Sequence, residues 1–331
     1  FGVECGLKNW GALWKCRELV NRYGIDEMCD IPFAMELYEK GILTKNDTGG
    51  LDLSWGNEQA VMELIRMIAM REGIGDILAE GSEVAARKIG RGAEKYVLAV
   101  KGKELTSFID PRVPERWGWI LGYVVGPRGD DLNTAHVFED TLPGWAIGLG
   151  WTAEQYLKWC LEYVDMPADI KKKVYGDPPD IKTVQPSNQA GRAARVTWFQ
   201  KIHSIFDSLG LCLFSGSIWM PMGPTHYATL YSALTGWQTT PEELMKTGDR
   251  IFHLMKAYIV REGFARRDDD WPERFYKEPL PEGTFKGSVL SRKLMGKILD
   301  EYYELNGWDK NGIPTREKLV ELGLDSVAND L

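Results

Sequence analysis

The sequence lacks the features that mark several classes of protein. No apolar run approaches the ~20 residues that a membrane-spanning helix needs. Basic residues are not in excess, because 40 Lys and Arg stand against 48 Asp and Glu, for a formal net charge of −8. That balance argues against a partner held through nucleic-acid phosphates. We therefore expect neither a membrane nor a nucleic acid among the partners.

Cysteine is scarce and shows no pairing pattern. The sequence contains no CxxC pair, so it carries no complete metal-binding set of its own. An odd number of widely spread cysteines is typical of a reducing compartment rather than of a disulfide framework, which predicts a cytoplasmic protein. The five cysteines are Cys5, Cys16, Cys29, Cys160 and Cys212.

Strand patterns are also few, and helical periodicity dominates. In residues 57–89 apolar side chains recur at three- and four-residue spacing. There we predict one helix from Asn57, as N-cap, to a stop at Gly73, and a second over 77–89. The one convincing strand pattern lies at 95–105. Comparable helices are predicted at 10–22, 153–163, 188–207, 241–261 and 290–305. The fold class is therefore mainly α, in two helical lobes.

Two stretches of the chain predict irregular backbone. Residues 101–150 are dense in Gly, Pro, Arg and Asp. Long irregular loops inside a compact domain usually carry function. A second stretch, at 170–187, predicts the seam between the lobes. The predicted helical domains are 1–175, which contains the first loop, and 176–331.

Two short turns carry residues suited to ligand binding. Asn21–Asp26 reads NRYGID and Asp207–Cys212 reads DSLGLC, and each follows a helical stretch. Both contain a polar residue, two spacers, a glycine, a branched apolar residue and a potential ligand, so they could grip two similar parts of one ligand. Cys212 alone would ordinarily be a buried inert thiol. Asp207 and Gly210 favour a site instead, because a carboxylate at a helix end can accept hydrogen bonds from a polar ligand.

These turns, with residues 261–283 (REGFARRDDDWPERFYKEPLPEG) and 307–315 (GWDKNGIPT), resemble the aldehyde:ferredoxin oxidoreductase family. The order and approximate spacing match the C-terminal two-thirds of that family, over essentially the whole chain. Its members carry tungsten, sometimes molybdenum, on two pterin dithiolenes beside one [4Fe–4S] cluster. They consist of an N-terminal β domain and two helical domains. The resemblance therefore implies a bis-pterin cofactor, a cluster, and helical domains 2 and 3 in this chain.

The resemblance also implies roles for the DSLGLC turn. Asp207 would bind one pterin, and Gly210 and Leu211 would complete that turn. Cys212 would ligate the cluster, since thiolate is the usual ligand of iron in such clusters.

The NRYGID turn would bind the second pterin. Its implied binding residues are Asn21, Gly24, Ile25 and Asp26. Asn21 replaces the aspartate of the family pattern, and its amide still hydrogen-bonds but carries no charge.

The loop GPRGDDL, at 126–132, departs from the family pattern. Leu132 stands where members carry a histidine that is a candidate proton-transfer group, and leucine cannot titrate. His136, four residues on, is the predicted catalytic substitute, although an exposed or capping role is an alternative. Arg128 is predicted to bind a cofactor phosphate, with bracing of the loop by a carboxylate as its alternative.

The family's other cluster cysteines lie in a CxxCxxxC stretch upstream of the matched region, and this chain contains no such stretch. We therefore expect a fragment or one part of a split protein. Its predicted partners are the missing N-terminal β domain, from the same gene or a separate chain, and ferredoxin or another electron carrier. A homodimer is also expected as a possible assembly.

The resemblance implies a tungstopterin, iron–sulfur oxidoreductase that acts on an aldehyde, oxo or carboxyl-level carbon and passes electrons to a ferredoxin-like carrier. Two alternatives stay open. One is a catalytic subunit of the aromatic acyl-CoA reductase type. The other is a non-catalytic helical scaffold subunit, which would need no thiolate at the DSLGLC turn.

Overall fold

A computed structural model of the chain contains helices throughout the part that it describes, together with one two-stranded hairpin. The mainly α prediction is confirmed. None of the described helices is long and apolar enough to cross a membrane. The described residues are 1–25, 30–105, 110–129, 146, 148–185, 187–212 and 222–331.

The chain divides into two compact units, 1–108 with 271–274, and 109–270 with 275–331. The domain boundary predicted between residues 175 and 176 lies inside the second unit. The division into domains 1–175 and 176–331 stays a prediction. The first unit contains α1 (Gly2–Cys5), α2 (Trp10–Tyr23), α3 (Asp30–Glu39), α4 (Glu58–Met70), α5 (Ile74–Leu78), α6 (Ser82–Ile89), a 3-10 turn (Ala93–Tyr96) and the antiparallel strands β1 (Ala99–Val100) and β2 (Lys103–Glu104).

The predicted start of α4 at Asn57 is confirmed, but the predicted end at Gly73 is not. Asn57 caps the helix, because its side-chain oxygen accepts from the Ala60 amide at 3.2 Å. The helix ends at Met70, and Arg71 takes the left-handed conformation with φ 55°. Gly73 is instead the residue that precedes α5. The predicted stop at Gly73 is therefore wrong.

The single helix predicted over 77–89 is two helices, α5 and α6. Gly81, with φ 85°, separates them, and a Cβ there would lie 2.8 Å from Glu104 Oε1. That oxygen accepts from the Ser82 amide at 2.7 Å, so a carboxylate from β2 caps α6. Periodicity in the helix sequence carries no information about so distant a partner.

The second unit is built around a long buried helix. Its helices are α7 (Trp117–Val125), α8 (Ala153–Tyr163), α9 (Ala168–Tyr175), α10 (Arg192–Leu209), α11 (Pro224–Thr235), α12 (Pro241–Arg261), α13 (Arg274–Lys277), α14 (Arg292–Asn306), α15 (Arg316–Glu321) and α16 (Asp325–Asp330). The first residue of α13 belongs to the other unit. The central helix is α10, which contacts α7, α9, α12 and α14.

Helix α10 starts later than the predicted residue 188, at Arg192. The guanidinium of Arg192 is completely buried and donates to three main-chain carbonyls, those of Thr183, Gln185 and Asn188. The segment before the helix is thereby fixed to its first turn. From there every residue of α10 up to Phe206 is buried except Lys201, which is partly exposed, and the last three residues are exposed.

Candidate functional site

The DSLGLC turn is the C-terminal end of α10. Gly210 takes the left-handed conformation, with φ 67° and ψ 28°. The Leu211 amide donates to the Phe206 carbonyl at 2.9 Å, and the Gly210 amide donates to the Asp207 carbonyl at 3.3 Å. These two hydrogen bonds form a Schellman motif, which needs glycine or a similarly tolerant residue at the left-handed position. The buried helix thus delivers Asp207 and Cys212 to the surface.

The NRYGID turn has the same backbone geometry at the end of α2. Gly24 has φ 66° and ψ 32°. The Ile25 amide donates to the Val20 carbonyl at 3.0 Å, and the Gly24 amide donates to the Asn21 carbonyl at 3.4 Å. The sequence similarity of the two turns therefore corresponds to a structural one. Asp26 lies outside the described residues.

Backbone geometry alone does not mark a site. Gly307 ends α14 with the same pair of hydrogen bonds, yet the next residue, Trp308, is buried. At Gly24 and Gly210 nothing lies within 4 Å of an added Cβ, whereas at Gly307 the side chain of Lys318 would lie 3.1 Å away. Exposure alone does not mark a site either, because Gly41, after α3, has the same pair of hydrogen bonds and nothing within 4 Å of an added Cβ. The two candidate turns combine an exposed glycine with a polar residue, Asn21 or Asp207, three positions before it.

A glycine substitution separates backbone strain from packing at these turns. Gly210→Ala should lower the free energy of unfolding by about 1–2 kcal/mol, the cost of placing a Cβ in the left-handed region. Gly307→Ala should cost more, because the new methyl group also meets Lys318. Urea denaturation of both variants measures the difference. Equal costs would contradict the packing difference between the two turns.

Both exposed turns present hydrogen-bond acceptors. The last carbonyls of a helix carry partial negative charge, so a carboxylate such as Asp207 is disfavoured there by about 0.3–1 kcal/mol. Asn21 occupies the corresponding position on α2 and offers an amide oxygen. Surfaces of this kind fit a ligand edge that is rich in N–H donors. The exposed side chains of Leu209 and Leu211 add apolar area beside Asp207.

Cys212 differs from the other described cysteines. Cys5, Cys16 and Cys160 are buried, whereas Cys212 is exposed. Burial raises the pKa of the Cys5 thiol to about 12 and also raises that of Cys16, so neither is a ready thiolate. The interpretation as an inert buried thiol applies to these cysteines and is wrong for Cys212.

Two arginines of the irregular loop have different settings. Arg112 is held by its own chain: Nε donates to Asp110 Oδ1 at 2.9 Å, Nη1 donates to the Glu278 carbonyl at 3.1 Å, and the guanidinium stacks on Phe275. Arg112 therefore braces the loop. Arg128 is the exposed residue of an otherwise buried turn after α7, and its cofactor role stays a prediction.

The family model that matches this chain is "Aldehyde ferredoxin oxidoreductase, domains 2 & 3", over residues 1–324. The chain belongs to the aldehyde ferredoxin oxidoreductase family. The resemblance inferred from the two turns and the two C-terminal motifs is confirmed, and the family is one of oxidoreductases.

Curated relatives from this family match nearly the whole length of this chain. The tungsten-containing aldehyde ferredoxin oxidoreductases of Pyrococcus horikoshii and Pyrococcus furiosus are each 31% identical over 98% of this chain and 47% of their own length. An aliphatic sulfonate oxidoreductase, WOR-like subunit, of P. furiosus is 30% identical over 95% of this chain and 42% of its own. This chain spans about half the length of the curated relatives that it matches.

A solved structure shares the fold. It is the active site complex BamBC of benzoyl coenzyme A reductase with 1,5-dienoyl-CoA, with a TM-score of 0.64 and 28% identity. The match covers 91% of this chain and 44% of the other.

The family's proton-transfer position cannot be placed from the described residues. Leu132 and His136 both lie outside them, so the catalytic role of His136 stays a prediction. In the part of the chain that the structure describes, no three His, Cys, Asp or Glu side chains cluster as a metal site would.

The three histidines among the described residues have different environments. His203 and His253 are buried, and His253 lies 2.9 Å from the Asp249 carbonyl and 3.0 Å from that of Asn306. His226 is half exposed, with Nδ1 3.0 Å from Asp165 Oδ2. Asp165 Oδ2 also accepts from the Thr225 amide at 2.9 Å, so Asp165 holds the first turn of α11.

Asp30, four residues past the NRYGID turn, is a titratable group that sequence reasoning missed. It opens α3, and its Oδ1 is buried without a hydrogen-bond partner. Burial, reinforced by the nearby Glu104 carboxylate and partly opposed by Lys103, raises the pKa of Asp30 to about 7. The available signal was an acidic residue directly before the apolar run Ile31–Ala34.

Asp30 predicts a pH-dependent stability. The folded chain holds this proton more tightly than the unfolded chain, whose aspartate pKa is about 3.9. Stability should therefore fall as pH rises from about 4 through 7, and Asp30→Asn should remove that loss, raising the free energy of unfolding at pH 8 by up to about 4 kcal/mol. Urea unfolding at pH 5 and pH 8 measures the effect.

The exposed Asp52 gives the control for this pH effect. Hydrogen bonds from Ser54 lower the pKa of Asp52, so Asp52→Asn should not stabilise the chain at pH 8. If Asp30→Asn left the pH dependence unchanged, Asp30 would not be the group responsible.

Proposed function

We propose that this chain forms the helical part of a tungsten (or molybdenum) bis-pterin, iron–sulfur oxidoreductase, in which the two exposed turns hold the cofactors. The observation that carries the proposal is the pair of matching turns at the ends of α2 and α10. Asp207 and Asn21 would each accept hydrogen bonds from a pterin ring, whose amino and ring N–H groups are donors. Gly24, Ile25, Asp26, Gly210 and Leu211 would complete the two binding turns.

The donor set fits these groups. A carboxylate and an amide oxygen sit where the helix ends already present carbonyl oxygens. Cys212 adds an exposed sulfur directly after the second turn, and thiolate is the ordinary ligand of iron–sulfur iron. Leu209 and Leu211 would exclude water from the same face once it is covered. Arg128 and His136 are proposed for phosphate binding and proton transfer.

When bound, the metal centre supplies a two-electron redox change at a carbonyl or related carbon, and the cluster passes single electrons to ferredoxin or another carrier. The protein residues bind and orient these groups. In this proposal Asp207 acts only through hydrogen bonds to the pterin, and Cys212 only as a cluster ligand.

Reduction of an aromatic acyl-CoA is the second candidate. It is supported by the likeness to the benzoyl coenzyme A reductase complex and by Leu132 at the position where the family pattern has histidine. A leucine there removes one proton-transfer group that aldehyde oxidation would use. A scaffold without catalytic function is disfavoured, since it has no need of an exposed thiol beside an exposed carboxylate.

Elemental analysis of the native protein, purified anaerobically together with whatever supplies its first domain, tests the proposal. We expect about one tungsten or molybdenum and about four iron atoms per chain. Activity is then assayed with small aldehydes and with aromatic acyl-CoA thioesters under matched conditions, which separates the two candidates. Absence of both metals would contradict the enzyme proposals and favour the scaffold.

A further inference from the structure

A cleft in the first unit lies between the loop after α3, the helix α5 and the C-terminal parts of α4 and α6. Its volume is about 380 Å³, and small-molecule sites usually have about 300–1,000 Å³. The apolar residues of its lining are Leu43, Met67, Ile74, Ile77 and Ile89. Neither candidate turn contributes a residue to this lining, so the cleft is separate from the proposed cofactor site.

The carboxylate in the lining of this cleft, Asp47, is already satisfied. It accepts from the amide and from the hydroxyl of Thr44, each at 2.7 Å, and from Arg91 Nη2 at 3.0 Å. These hydrogen bonds, that from Arg91 above all, hold the pKa of Asp47 well below its usual range. Asp47 therefore stays charged and paired, and it does not offer a site for a cationic ligand.

Lys88 contributes a positive charge that is not neutralised in the same way. It lies in the last turn of α6, where its neighbour Arg87 pairs with Glu83 at 3.0 Å. No ion pair joins Lys88 to any residue that the structure describes. Asn46 lines the same cleft, and its amide group is a further N–H donor. The cleft thus combines an apolar lining with an ammonium group that has no counter-ion among the described residues.

We propose that this cleft binds an aliphatic monocarboxylate, whose carboxylate group lies at Lys88 and Asn46 and whose alkyl chain lies on the apolar lining. One ammonium group matches one negative charge. A phosphate dianion would carry excess charge and would gain nothing from the apolar side chains. A cationic ligand would be repelled by Lys88. A neutral alcohol would cover the apolar lining but leave Lys88 without a counter-ion.

The length of the alkyl chain sets the expected affinity. Each methylene group removed from water strengthens binding by about fourfold, so the dissociation constant should fall by that factor at each step from butanoate to pentanoate to hexanoate. Isothermal titration calorimetry of the native, complete protein measures these constants. Hexanol and hexylamine carry the same chain without the negative charge. Each should bind at least about tenfold more weakly than hexanoate, because a charge-assisted hydrogen bond is lost.

Substitution of Lys88 tests the charge directly. Lys88→Gln removes the ammonium group but keeps an N–H donor, so it should weaken hexanoate binding at least about tenfold and leave hexanol binding unchanged. Lys95→Gln is the matched control, because Lys95 is an exposed lysine of the same unit that does not line the cleft. It should change neither affinity. Equal affinity of hexanoate for Lys88→Gln and for the unsubstituted protein would overturn the proposal, as would equal affinity for hexanol and hexanoate.

A hexanoate that carries a diazirine group identifies where the chain binds. After photolysis, mass spectrometry should find the label on peptides from residues 43–91. A second cleft, between α11 and the start of α12, gives a comparison within the same molecule, because it has about 430 Å³ and its described lining residues are all uncharged. Label on that cleft in equal or greater yield would contradict the assignment. The absence of saturable hexanoate binding would also overturn it.

Discussion

Replacing Asp269 with asparagine should lower the free energy of unfolding by about 3–5 kcal/mol, because it leaves a buried ammonium group without its counter-ion. Asp269 and Lys256 are both fully buried, and Nζ lies 3.3 Å from Oδ2. The same oxygen accepts from the Tyr303 hydroxyl at 2.6 Å. Lys256 Nζ also lies 4.7 Å from the centre of the Trp308 ring. The pair thus joins α12, the residue directly after the 3-10 turn Arg266–Asp268, and α14.

The neighbouring aspartates are the controls. Asp268 accepts from the Ala265 amide, Asp270 pairs with Arg292 at 3.0 Å, and the side chains of both are partly exposed. Substituting either by asparagine should cost less than about 1 kcal/mol, the range for exposed ion pairs. Urea denaturation of the three variants tests this. If all three variants lost a similar free energy of unfolding, burial of the Lys256–Asp269 pair would not be the reason for the cost of Asp269→Asn.

The double variant Lys256→Met/Asp269→Leu refines the test. Removing both charges eliminates the uncompensated ion, so the double variant should be more stable than Asp269→Asn alone. A double variant that is less stable than the single one would point to the hydrogen bonds around Tyr303 and Trp308, rather than the charge, as the main source of stability.

The buried cluster of Lys256, Asp269 and Tyr303 could not be predicted from the sequence. By its pattern the run RRDDDWPER, at 266–274, predicts either a solvated charged face or a salt network between the lobes, and its first and third aspartates, which are partly exposed, fit the solvated face. The middle aspartate is completely buried. Its partners lie 13 and 34 residues away, and no local pattern indicates which of three adjacent carboxylates turns inward. The same limit applies at Gly81, where the helix break depends on Glu104.

The turns were predictable because their signal is local. A glycine after an apolar helical run fixes the left-handed position, and the Schellman hydrogen bonds follow from it at both Gly24 and Gly210. That signal does not separate them from Gly307, which has the same geometry in a packed setting. Exposure, which separates them from Gly307, is a property of the whole fold, and the polar residue three positions before the glycine separates them from the exposed turn at Gly41. The proposed roles of Asp207 and Cys212 come from the family resemblance.

Cys212→Ala in the native, metal-loaded protein should remove the iron–sulfur cluster and leave the pterin metal in place. Iron should fall from about four atoms per chain to less than one, since the cubane cluster depends on four protein ligands. Reduction of the electron carrier should fall by more than about 100-fold, beyond the usual cost of changing a residue that only supports a ligand. Elemental mass spectrometry and the characteristic absorbance of the cluster measure the loss.

Asp207→Asn should have the complementary effect. The amide keeps one acceptor oxygen and leaves the turn intact, but the charge-assisted hydrogen bonds to the pterin, worth about 1.5–3 kcal/mol, are weakened. Tungsten content should therefore fall while iron stays at its original level. Cys160→Ala, which removes a buried thiol on α8, should change neither metal. Two outcomes would contradict the proposal that Cys212 binds the cluster and Asp207 binds the pterin. One is a Cys212→Ala variant that keeps its iron. The other is an Asp207→Asn variant that loses iron and tungsten together.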